Sequence, residues 1–101
     1  MDSELFYKRN GFKRTSALVR GLDDNCKEFS VSRTKDESGW IVSFERWSDP
    51  DDERSAKNQC TIWTKRHEVR IFKTLENVAK QLSQSGVVAF EVQLSEGTKK
   101  S

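Results

Sequence analysis

Residues 59–94, QCTIWTKRHEVRIFKTLENVAKQLSQSGVVAFEVQL, constrain the fold more than any other stretch of this chain. An alternating run is followed by a charged turn and a second alternating run. A capped amphipathic segment with a glycine stop comes next, then a final apolar run. Leu75, Val78, Ala79 and Leu82 fall at i, i+3, i+4 and i+7, which predicts a helix with one apolar stripe. Thr74 stands where an N-cap hydroxyl accepts from a first-turn N–H, and Glu76 suits the positive end of the helix dipole. Gly86 follows the last periodic turn, where a residue able to take φ > 0 ends the helix. A helix of this kind lies on a sheet and leaves its other side wet.

The rest of the chain supplies that sheet. Phe29 and Val31 alternate with polar neighbours, residues 35–39 (KDESG) make a turn, and Trp40, Val42 and Phe44 alternate on the return. The other face of the return strand carries Ile41, Ser43, Glu45 and Trp47. Residues 48–58 (SDPDDERSAKN) form a polar surface loop. The third strand, 60–64, turns Cys60 and Ile62 to one face and Thr61 and Trp63 to the other. The fourth, 69–72, divides Val69 and Ile71 from Arg70 and Phe72. The last directs Val88, Phe90, Val92 and Leu94 inward. The expected fold is α+β: a mainly antiparallel sheet of about five strands, ββ-ββ-α-β, with one amphipathic helix on one face. Its expected core is Phe29, Val31, Trp40, Val42, Phe44, Ile62, Val69, Ile71, Val88, Phe90 and Val92.

Residues 25–95 form this domain and 96–101 a polar tail. Residues 1–24 admit three readings. Asn10-Gly11 is a hairpin dipeptide, a short helix would run from Ser3 to Gly11, and an arm would lay Leu5, Phe6, Tyr7 and Phe12 onto the domain. The poor alternation after Gly11 favours an arm or short irregular segment.

At 101 residues the chain is one domain, burying roughly 60–70% of its unfolded surface. Hydrophobic and charged residues each make up 34%, so the core is small and the surface densely charged. No apolar run reaches the ~18 residues of a membrane span, and the N-terminus lacks a secretory apolar block. Cys26 and Cys60 are too few for a disulfide scaffold, which predicts reduced thiols and a cytoplasmic location.

The residues carry little that resembles catalysis. His67 is the single histidine and falls in a turn among Lys65, Arg66 and Glu68, away from either cysteine in sequence. Cys26, Cys60 and His67 lack the spacing of a zinc site, and Asp49, Asp51, Asp52 and Glu53 lack the glycine of a calcium loop. No glycine-rich phosphate loop occurs. The expectation is a non-enzymatic protein without cofactor or metal.

One helix cannot cover five strands, so the opposite sheet face must be accounted for. It is expected to present Trp63, Arg70 and Phe72, with Lys65, Arg66 and Lys73 near the hairpin and Ile41 and Trp47 alongside. Net charge is only +2, but residues 1–20 and 59–73 are basic and bracket an acidic middle. Aromatics interleaved with guanidinium groups suit base stacking and phosphate contact. The same set suits a protein interface, as a homodimer or an adaptor. A third possibility is that Leu5, Phe6, Tyr7 and Phe12 fold over this face and bury it.

The run KRHEVRIFKTLENVAKQL resembles a segment of small ParC-like proteins encoded beside partition and transfer genes on plasmids and integrative conjugative elements. Arg66, Glu68, Arg70, Phe72, Lys73, Leu75 and Val78 carry the likeness, with an apolar strand such as VVAFEVQL after them. It covers the last third of the chain, and His67 stands where that pattern has glycine. The resemblance implies a non-enzymatic accessory protein of a mobile element, with no catalytic residues to carry over. The expected partner is nucleic acid or a nucleoprotein complex, and no membrane.

Overall fold

A computed structural model describes residues 5–10 and 18–93. Leu94, the tail, Phe12 and the Gly11 turn lie outside the described residues. Among those described, one helix, α1 (Leu75–Gln84), packs on one face of a six-stranded sheet. The strands are β1 (Phe6–Arg9), β2 (Leu18–Arg20), β3 (Cys26–Arg33), β4 (Trp40–Trp47), β5 (Lys57–Trp63) and β6 (Glu91–Gln93), in the order β2-β1-β5-β4-β3-β6. All pairings are antiparallel except β3 with β6. The α+β class is therefore as expected. Among the described residues, no helix is long and apolar enough to cross a bilayer.

The described parts of the N-terminal segment lie in the sheet rather than forming an arm. β1 and β2 pair with one another, and β1 also pairs with β5, with Tyr7 opposite Ile62. Leu5 and Tyr7 enter the core at 1% and 2% exposure, and the Tyr7 ring meets Phe44 edge-on at 5.1 Å. Leu5-Phe6-Tyr7 hides its periodicity because Phe6 faces the other way, a large side chain on both sides of one strand.

The helix obeys its local signals. Thr74 Oγ1 accepts from Asn77 N at 3.1 Å, Val78 and Leu82 are buried, and Gly86 takes φ 93° just past the end. Ala79 is exposed rather than on the buried stripe. The helix carries the chain from β5 past two intervening strands to the sheet edge, the crossover that a parallel β6 requires.

Two expected strands are reduced. Residues 69–72 make single bridges, Trp63 with Val69 and Trp40 with Phe72, as the segment crosses from β5 to β4 at the sheet end. That crossing inverts the expected sides: Phe72 is buried, while Val69 and Ile71 are exposed. The last strand shortens to three residues, with Val88 fully exposed, Val92 exposed and Phe90 half-buried. The observed core keeps Phe29, Val31, Trp40, Val42, Phe44 and Ile62 and adds Leu5, Tyr7, Cys60, Phe72, Val78 and Leu82.

The polar 48–58 connection is built from two turns. Asp49 Oδ1 accepts from Asp51 N at 3.0 Å, and Asp52 Oδ1 from Arg54 N at 2.9 Å. Asp49 and Asp52 thus cap backbone donors, a local role within the connection.

Candidate functional site

Cross-strand register decides what the face opposite α1 presents, because directly opposed residues share a side. Lys8 faces Thr61, Thr61 faces Ser43 and Ser43 faces Ser30, while Phe6 faces Trp63 and Trp47 faces Lys57. This side mixes polar residues with Phe6, Ile41 and two tryptophans.

Each indole is paired with lysine. Lys8 Nζ lies 4.5 Å from the Trp63 ring centroid, its side chain buried across the strand. Lys57 Nζ and Lys27 Nζ lie 4.3 Å and 5.0 Å from the Trp47 ring. Lys27 is further held by the Pro50 carbonyl, to which it donates at 2.7 Å. Trp47 Nε1 donates to Glu45 Oε1 at 3.2 Å, and Gln59 Nε2 to the other oxygen at 3.2 Å. Trp63 Nε1 is buried without a partner, a cost that a fully settled surface avoids.

Lys27 reaches this face through a β-bulge. Its register partner is Glu45, yet two residues on the pairing has slipped, so that Ser30 faces Ser43. Glu28 absorbs the extra residue at φ 57°. Without the bulge, the alternation that buries Phe29 and Val31 would turn Lys27 toward the core; with it, the ammonium is re-aimed at Trp47.

The six residues expected to form one surface are divided. Trp63 is half-buried on the face opposite α1, as expected. Phe72 is not: it is 5% exposed in the core on the helix side. Arg70 follows it there, its guanidinium 4.9 Å from the Phe72 ring, and Lys73 is exposed beside the start of α1. Lys65 and Arg66 are exposed at the 64–68 turn between the two sides. Sequence reasoning missed Lys8, Lys27 and Lys57. Alternation with Trp47 could have found Lys57, whereas nothing in the residues signals the bulge that delivers Lys27.

The 64–68 turn is held by Thr64, whose Oγ1 accepts from Arg66 N at 3.2 Å and Glu68 N at 3.3 Å. His67 sits in it at φ 66°, a left-handed conformation that glycine adopts freely. His67→Gly is expected to raise stability by about 1 kcal/mol or less, relief of left-handed strain exceeding the added unfolded-state entropy. His67→Val should lower it; thermal melts of the two variants check the opposite signs.

Burial pushes both thiols up to about 11, so Cys26 and Cys60 are protonated at neutral pH and poor nucleophiles. Among the described residues, no three His, Cys, Asp or Glu side chains converge to hold a metal. No family model, curated protein or solved structure matches this chain.

Proposed function

We propose that this protein is a non-enzymatic accessory module of a mobile genetic element that binds nucleic acid, alone or in a nucleoprotein complex, through the sheet face opposite α1. The observation that carries the reading is the pairing of Trp47 with Lys27 and Lys57 on the face opposite α1, continued by Trp63 beside the buried Lys8. Indole rings give stacking area for bases of any sequence, and ammonium groups beside them meet the phosphates between. Lys65 and Arg66 extend the charge at the rim. The mobile-element assignment rests on the resemblance carried by Arg66, Glu68, Arg70, Phe72 and Lys73.

Binding to a single-stranded oligonucleotide, followed by tryptophan fluorescence, is expected to weaken as salt rises. Two lysine–phosphate contacts, from Lys27 and Lys57, give a log–log slope of roughly −1.4, and Lys57→Ala should reduce its magnitude by about 0.7. An affinity indifferent to salt would count against the proposal.

The alternative is a protein interface, homodimeric or adaptor, on the same face. Glu45 favours it, since a carboxylate beside Trp47 opposes phosphate and suits a basic partner residue. Light scattering of the protein alone separates the homodimer from the monomer that the nucleic-acid reading needs.

A further inference from the structure

On the helix side, away from the two tryptophans, a cleft of about 320 Å³ opens between residues 70–73 and α1. Its wall on the helix is Asn77, Lys80, Gln81 and Gln84, spaced i, i+3, i+4 and i+7, the stripe next to the one that buries Val78 and Leu82. Arg70 and Lys73 form the facing wall. The lining thus holds three cations and three side-chain amides, and no carboxylate.

Arg70 is the best-placed of these groups. It is half-buried, with its guanidinium 4.9 Å from the Phe72 ring centroid, so the plane of the fork is set by a ring that belongs to the core. An oriented guanidinium pairs two oxygens of one phosphate with little further loss of side-chain freedom. Lys73 and Lys80 supply the remaining charge, and the Asn77 and Gln81 amides donate to the other oxygens or to a sugar. The volume stands at the lower end of the ~300–1,000 Å³ typical of small-ligand clefts.

We infer that this cleft is a phosphate-binding site, accepting the phosphate of a compact ligand of nucleotide size. It is separate from the sheet-face reading and stands or falls without it. The phosphate has two possible sources, a free nucleoside monophosphate or the phosphorylated end of a strand.

The test is an amide chemical-shift titration with a nucleoside 5′-monophosphate, and with one oligonucleotide bearing or lacking a 5′-phosphate. The expected result is movement of the amides of 70–73 and 77–84. Affinity should fall roughly tenfold in Arg70→Gln and again in Lys73→Gln/Lys80→Gln. Lys73 and Lys80 are exposed, so the double variant keeps the test valid if Arg70→Gln loses its fold. Arg54→Gln, which removes one charge in the β4–β5 connection, should bind as the parent does. Movement with the mononucleotide assigns a free ligand; movement only with the 5′-phosphorylated oligonucleotide assigns a strand end. Cleft amides unmoved by all three ligands, or equal weakening in Arg54→Gln, would overturn the site. Failure of the sheet-face reading would register elsewhere, in unmoved amides of β4 and β5.

Discussion

Phe72→Ala is expected to lower the free energy of unfolding by roughly 3–5 kcal/mol. That is a large part of the ~5–15 kcal/mol that holds a small domain together. The ring belongs to the same buried cluster as Trp40, Val78 and Leu82. Its backbone exchanges two hydrogen bonds with Trp40, at 2.7 Å and 2.9 Å, so the segment cannot slide inward to refill the void. Arg70 also loses the ring that orients it. Denaturant unfolding should show a lower midpoint at unchanged slope. Trp63→Ala provides the contrast. Its indole is half-buried on the face opposite α1, so truncation should cost about half as much stability while removing most of the oligonucleotide affinity. A Phe72→Ala protein as stable as the parent would mean that this ring is a surface group after all.

Gly39→Val should destabilise on the order of 3 kcal/mol or more, through overpacking and loss of the neighbouring bridge. A side chain added at Gly39 would run into the Ile71 side chain and come within 2.7 Å of the Phe72 carbonyl oxygen. Ile71 can rotate away, since it is exposed. The carbonyl cannot, because it accepts the Trp40 N–H that ties 69–72 to the start of β4. The requirement at Gly39 is close approach of two backbones. Gly39→Ala should show a smaller loss in the same direction; equal stability of Gly39→Val and the parent would rule out this account.

These two positions also show where reading the sequence stops. The helix was legible because its cap, its stripe and its stop are local: Thr74, Val78 and Leu82, and Gly86 act within a few residues of one another. The β3–β4 hairpin was legible for the same reason, with Phe29, Val31, Trp40, Val42 and Phe44 alternating on either side of a polar turn. Residues 69–72 read as a fourth strand because Val69 and Ile71 alternate with Arg70 and Phe72. In the fold the segment crosses the end of β4, and the Trp40 bridge turns Phe72 inward instead.

The candidate surface divides along the same line. Trp63 and Trp47 follow from alternation along β5 and β4, so their side of the sheet was accessible from residue order alone. Lys8 depends on β1 pairing with β5, and Lys27 on the slip in register between β3 and β4. By itself the amino-acid sequence determined the α+β class, the helix with both its ends, and the two faces of the central strands, since each follows from contacts a few residues apart. Which cations meet which rings was decided by the tertiary structure alone. Pairing distant strands places Lys8 on Trp63, and a single extra residue in one ladder moves a side chain from one face of a sheet to the other.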